Sequence, residues 1–194
     1  AKAAKIQRAL RSEQLRASQG LERTYGVIVS SLVGLIDGLN EKIADLQEEL
    51  EGSFEQHPSA EVLRSLPGLG IVLGARVLGE FGDDPTRYAD ARARRNYAGT
   101  SPITKASGTR RVVLARFARN ERLFDACYLW AFSSLTKSPG SRRYYDLQRA
   151  RGKTHSQALR SVANRLVGIL HGCLKQGALY REDAAWHVSE SLVA

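Results

Sequence analysis

The sequence contains no methionine, only two cysteines, and no apolar run near the roughly 20 residues needed to cross a bilayer. Its N-terminus also lacks the charged-then-apolar layout of a signal peptide. From these absences we expect no membrane span and a soluble, cytoplasmic protein. Cys127 and Cys173 each lie inside an apolar helical pattern and show no metal-ligand spacing, which argues against a disulfide framework and for two core thiols. His57, His155, His171 and His187 are scattered without HExxH or paired-cysteine spacing, and the carboxylates do not cluster as a divalent metal requires. No metal site and no cofactor are therefore expected within this chain. Convincing period-two apolar runs are missing as well, so the expected fold is all-α. The start is abrupt and has no initiator methionine, which reads as a piece of something longer.

What is present begins with size and charge. A chain of 194 residues, 43% of them hydrophobic, can bury the core of one ordinary domain but not of two large ones. The 29 Lys and Arg against 20 Asp and Glu give a formal +9, which favours a polyanionic partner.

Apolar residues recur in a three-four alternation at Val29, Leu32, Ile36, Leu39, Ile43, Leu46 and Leu50. This is the pattern of a coiled-coil seam. β-branched residues fill one seam position (Val29, Ile36, Ile43) and leucine the other (Leu32, Leu39, Leu46), a combination that favours two parallel strands and predicts a homo-oligomer. The alternative is that the stripe packs on a helix of the same chain, since Gly34 and Gly38 weaken the helix. The first twenty residues also read as helix, with Gly20 as a point of interruption. The stretch from Gly52 to Ser59, with Pro58, is read as the break that ends the long helix. The expected organisation is thus a linker and oligomerisation segment over 1–57 and a helical domain over 58–194.

The second segment opens with Leu66-Pro67-Gly68-Leu69-Gly70, followed by a helical pattern carried by Ile71, Ala75, Leu78 and Phe81. Glycines let the backbone turn tightly and bring N–H groups close to a phosphate, and a following helix N-terminus adds a favourable dipole. The layout over about 63–83 resembles the helix-hairpin-helix of DNA-binding proteins, with Gly68 and Gly70 as the candidate contacts; a plain helix-loop-helix corner is the alternative. Between Arg87 and Arg122 there are ten basic residues against two acidic ones, nearly the whole charge imbalance of the chain. Arg92, Arg94, Arg95, Lys105, Arg110, Arg111, Arg116 and Arg119 are the expected nucleic-acid contacts. Beyond them, one helical face is carried by Leu123, Cys127 and Trp130 and stops near Ser138-Pro139-Gly140. A short helix follows around Tyr144 to Arg151, and a longer one begins after Thr154, a good N-cap, and stops around Gly177.

A small-residue loop over about 97–111 sits in this basic stretch and contains Ser101 and the pair Ser107-Gly108. A serine hydroxyl can attack a phosphodiester if cations stabilise the developing charge and its proton is removed. The alternative reading of a Ser-Gly pair is a turn.

Several pieces in one order then resemble the C-terminal transposase domain of the IS110/IS116/IS902 family of bacterial insertion-sequence transposases. They are Leu66-Pro67-Gly68-Leu69-Gly70; Ala98-Gly99-Thr100-Ser101-Pro102 followed by Ser107-Gly108; Arg116 through Asn120 and Leu123; Asp125-Ala126-Cys127 with Trp130-Ala131; and Ala158-Leu159-Arg160 leading into His171-Gly172-Cys173-Leu174. The resemblance implies an upstream RuvC-like domain whose four carboxylates bind Mg2+, a coiled-coil linker, and a serine, Ser107 here, that becomes joined to DNA. It also implies that some relatives select DNA through a guide RNA. The RuvC-like half is missing from this sequence, so the isolated chain is expected to be inactive or nearly so. Ser101 precedes Pro102 and is held to extended geometry, whereas Ser107 is followed by Gly108, which leaves room for a phosphate. Two other function classes remain open: a non-catalytic helix-hairpin-helix binding module, and a coiled-coil assembly protein whose basic face meets RNA.

Overall fold

The computed structural model describes residues 2–12 and 17–186. His187 and the 13–16 stretch of the expected first helix lie outside the described residues. The chain divides into two compact units, Ala1–Gln47 and Glu48–Ala194.

The first unit holds α1 (Lys2–Arg11) and most of α2 (Gln19–Glu55). Gly20 does not interrupt a helix; it lies in the first turn of α2. The seam residues are all helical, and Val29, Leu32, Ile36, Leu39, Ile43 and Leu46 are each more than half exposed. A Cβ added at Gly34 or Gly38 would meet nothing within 4 Å, so no close approach within the chain requires glycine there.

In the second unit, α2 runs through Gly52 and ends at Glu55, inside the stretch from Gly52 to Ser59. Phe54, the last residue but one of the helix, is buried, and its ring lies 3.0 Å from where a Cβ on Gly74 would be. Core burial of that ring outweighs the roughly 1 kcal/mol that a helical glycine costs.

The rest of the unit is built around α8 (His155–Gln176), on which α5 (Ala91–Tyr97), α6 (Glu121–Ser134) and α7 (Pro139–Ala150) pack. The helix begins at a capping box, with the Thr154 hydroxyl accepting from Gln157 N–H and the Gln157 side chain accepting from Thr154 N–H. It ends at Gly177 in the left-handed conformation. Its apolar face, with Leu159, Val162, Leu166 and Leu170, is fully buried with Leu123, Cys127 and Trp130 of α6. On the far side of α6 lies α4 (Ile71–Phe81), preceded by the short α3 (Ala60–Ser65). The Pro139-Gly140 pair starts α7 instead of only stopping α6: Ser138 caps the helix by accepting from Ser141 N–H, and Pro139 takes the first position, where its missing N–H costs nothing.

The main departure from an all-helical expectation is a β-hairpin. β1 (Ile103–Ser107) and β2 (Arg110–Leu114) pair antiparallel, with Ile103 opposite Leu114 and Ser107 opposite Arg110. Only Ile103 among the ten is half-buried and the other nine are exposed, so no apolar-polar alternation was imposed on the sequence for periodicity to detect. The predominantly helical fold and the long N-terminal helix are otherwise as the sequence indicates.

Candidate nucleic-acid interface

Both ends of the hairpin are tied to the C-terminal end of α5. Thr100 and Ser101 donate their backbone N–H groups to Arg95 O, at 3.1 and 3.4 Å. On the return side, Asn120 N–H donates to Tyr97 O at 3.1 Å. The Asn120 side chain caps α6 by accepting from Leu123 N–H at 3.0 Å and donates Nδ2 to Glu80 Oε2 at 2.7 Å. The hairpin therefore stands on a hydrogen-bonded base while its strands remain in solvent.

Gly108 and Thr109 form its two-residue turn, with Gly108 at φ 55° and no positive φ at Thr109. Glycine at the first central position matches the type II′ turn, whose twist suits paired strands. The Ser-Gly pair thus does make a turn, and that turn sets Ser107 at the hairpin tip. Ser107 is exposed, and its hydroxyl makes no hydrogen bond among the described residues. Directly opposed residues share a face, as do residues two apart on one strand. Ser107, Arg110 and Lys105 consequently lie on one face with Val112, and Arg111 lies on the other with Ala106. Arg110 and Arg111, neighbours in sequence, thus stand on opposite faces of the hairpin.

Ser101 is differently placed. It is half-buried at the hairpin base and its hydroxyl donates to Asn96 Oδ1.

The expected arginines divide by environment. Arg92, Arg110 and Arg111 are exposed, as is Lys105. Arg94 is only 5% exposed, its guanidinium 4.8 Å from the Phe81 ring centroid and 4.6 Å from that of Tyr88. Burial lowers its pKa, and Arg87 nearby adds to this against the opposing effect of Tyr88. Arg94 belongs to the core, and the expectation of a phosphate contact is corrected. Arg95 is half-buried with its guanidinium laid across α8, in the space a Cβ on Gly168 would fill; glycine at 168 makes that crossing possible.

Arg119 is committed to the structure as well. Its guanidinium lies 3.5 Å from the Phe124 ring centroid, donates to Arg116 O at 2.9 Å and pairs with Glu121 at 3.0 Å, leaving the side chain 11% exposed. Its aliphatic part fills the space a Cβ on Gly99 would need, and the φ of 68° at that position also favours glycine. Arg119 is thereby withdrawn from the set of open phosphate contacts.

The Leu66-Gly70 turn shows a similar division. Trp130 Nε1 donates to Pro67 O at 3.0 Å, and a Cβ on Gly68 (φ 77°) would lie 2.6 Å from Ser134 N. Glycine at 68 is therefore demanded by the close approach of α6. Gly70 is exposed, and its N–H makes no hydrogen bond among the described residues at the start of α4, where the helix dipole favours an anion.

Sequence reasoning missed a group on α8 and the turn before it. A cleft of about 410 Å³ lies at the hairpin base, bounded by residues 99–102 and 113–116 on one side and by Tyr144, Lys153, Gln157, Arg160 and Asn164 on the other. Arg116 lies 37 residues before Lys153 in sequence, so no single charge run announced the group. Among the described residues no group of three or more His, Cys, Asp or Glu comes together to hold a metal ion. No described helix is long and apolar enough to cross a membrane.

Residues 60–146 match the family described as Transposase IS116/IS110/IS902. The IS117 mini-circle protein of Streptomyces coelicolor, whose name assigns it a transposase role, is 42% identical over 91% of this chain and 42% of its own length. The 43.6 kDa protein of insertion element IS110, also from Streptomyces coelicolor, is 37% identical over 81% of this chain and 39% of its own. The 42 kDa protein of insertion element IS900 from Mycobacterium paratuberculosis is 35% identical over 82% of this chain and 40% of its own. This chain thus spans about two-fifths of the length of the curated relatives it matches. Over the matched region it belongs to the IS116/IS110/IS902 transposase family.

Proposed function

We propose, from that membership, that this chain is the DNA-binding, serine-nucleophile part of an insertion-sequence transposase, acting in DNA transposition together with a RuvC-like portion. The observation that carries the reading is the placing of Ser107 at an exposed hairpin tip, directly opposite Arg110 and on the same face as Lys105. Two cations on the nucleophile's own face can engage a phosphodiester and stabilise the charge that develops as it is attacked. Ser107 Oγ forms a bond to phosphorus, and the bond from phosphorus to one sugar oxygen breaks. The hydroxyl proton passes to a base outside the described residues, and the leaving oxygen takes up a proton. The number of phosphoester bonds is unchanged, so the step is a transesterification and needs no oxidant or reductant.

The Mg2+ that the resemblance implies has no fitting cluster among the described residues. The exposed Arg92, Arg110, Arg111 and Lys105, with the open N–H of Gly70, supply the remaining DNA contacts in this reading. The exposed seam of α2 supplies the contact with a second copy.

A non-catalytic DNA-binding module would use the same hairpin and the same turn. The two readings separate when the chain is joined to its RuvC-like portion and incubated with a nicked suicide DNA substrate. A protein–DNA adduct that survives denaturation and is lost in Ser107→Ala supports the serine mechanism; absence of any adduct supports the binding module.

A further inference from the structure

We propose that the cleft at the base of the hairpin is a second DNA contact, a seat for one backbone phosphate apart from the phosphate attacked by Ser107. The inference rests on the reading of this chain as DNA-binding.

Three cations line the cleft: Arg116 just beyond β2, Lys153 in the turn before α8, and Arg160 on α8. No Asp or Glu lines it, and none of the three cations forms an ion pair among the described residues. Arg116 and Arg160 are half-buried, and the Nε of Arg116 is buried without an acceptor. A partly desolvated cation with no counter-charge is costly, and an anion entering the cleft relieves that cost. Concave walls of one sign also concentrate the field where the anion would sit.

The donors suit a phosphate. Lys153 Nζ is steered by donating one hydrogen bond to Ser161 Oγ at 3.1 Å, which leaves two donors free. The Oδ1 atom of Asn164 is buried without a partner, and a half-turn about the last side-chain bond puts Nδ2 in its place as a further donor. Val113, Leu114 and Tyr144 give the wall an apolar part against which a sugar can lie.

The position of the cleft selects a nucleic-acid strand over a free anion. Its walls include the base of the same hairpin whose tip carries Ser107. From Ile103 to Ser107 is four strand steps, roughly 13 Å at 3.3 Å each. A span of that length covers only a few nucleotides of one strand, each of which adds roughly 3.4 Å of rise along the axis of a duplex. One backbone can therefore pass both places, with the seat holding the strand in register while the tip meets the phosphate to be cut.

The test measures binding of this chain to a labelled DNA duplex of arbitrary sequence across a salt series. Lys153→Gln combined with Arg160→Gln should weaken binding and reduce the slope of log affinity against log salt by about 0.9, the loss of one phosphate contact. Adding Arg110→Gln should give a further, independent reduction. Lys153→Gln alone, in an exposed turn, tests the site without touching the face of α8, and far-UV circular dichroism checks that α8 is kept. Retention of the wild-type slope and affinity by the double variant would overturn the seat while leaving DNA binding intact. A loss seen only with RNA of the same length overturns it, as does inorganic phosphate raising the melting temperature of wild type but not of the variant while the DNA slope stays unchanged. Failure of the wild-type chain to bind DNA overturns this inference and the broader reading together. An adduct that persists in Ser107→Ala, with the slope change as expected, overturns only the serine assignment.

Discussion

Ser107 and Arg110 stand directly opposite each other in the last pair of the hairpin before its Gly108-Thr109 turn, while Arg111 occupies the opposite face with Ala106. Two neighbouring arginines that look equivalent in the sequence therefore have different relations to the one exposed hydroxyl. With the RuvC-like portion restored, Arg110→Gln should lower the rate of adduct formation on nicked DNA by more than tenfold, the order of effect expected for a charge-stabilising donor. Arg111→Gln should act mainly on binding. Single-turnover adduct formation at saturating DNA measures the difference, and equal effects on the rate would contradict the face assignment.

Ser101 provides the complementary case. Its hydroxyl is already donated to Asn96 Oδ1 at the hairpin base. Ser101→Ala should leave the adduct intact and cost stability of about 1 kcal/mol, the typical value of such a bond. Chemical denaturation of the variant, run beside the trapping assay, checks both halves; an adduct lost in Ser101→Ala but kept in Ser107→Ala reverses the assignment.

For Arg94 the expected phenotype is structural. Its guanidinium sits over the rings of Phe81 and Tyr88 and is almost fully buried. Arg94→Ala should destabilise the domain by about 2 to 4 kcal/mol through lost cation–π contact and a cavity. The salt slope of DNA binding should not change, whereas the triple change of Arg92, Arg110 and Arg111 to Ala should lower it by up to about 2.7, at 0.9 per phosphate. Denaturant unfolding and a salt titration on the two variants distinguish the roles.

The exposed seam predicts association. Ile36→Asp with Ile43→Asp would place unpaired charge in any interface formed by that stripe and should dissociate the assembly. Sedimentation mass before and after is the measurement, and an unchanged mass would mean that the stripe does not join copies of the chain.

Burial pushes the Cys127 thiol up to about 12. It should resist a thiolate-specific reagent at pH 8 in the folded protein and react once denaturant is added. In the unfolded chain the thiol ionises near its ordinary value of 9, while in the folded chain it stays protonated until about 12. The native state therefore binds more protons across that window, so its contribution to stability is intact below pH 9 and falls as pH rises toward 12. A denaturation series across that range, compared with Cys127→Ala, isolates the effect.

The sequence by itself determined the elements whose burial forces a pattern. The α6 face of Leu123, Cys127 and Trp130 and the α8 face of Leu159, Val162 and Leu166 must enter a core, so their 3.6-residue period was visible, and Thr154 marked the start of α8. The family motifs and the basic segment were visible for the same reason: each is local in the chain. What tertiary structure alone decided is where each charge goes. Arg92 and Arg94 differ by two positions in one short helix, yet one faces solvent and the other lies on Phe81 and Tyr88, which come from outside that helix. The hairpin was illegible because its faces are left to solvent and nothing forced its residues to alternate, and its register, which sets Arg110 rather than Arg111 across from Ser107, depends on the length of the turn. The cleft with Arg116, Lys153 and Arg160 exists only because packing of α7 and α8 brings distant segments to one wall. A pattern read along the chain records which faces must avoid water, whereas the environment of a charge is fixed by whatever else the fold packs beside it.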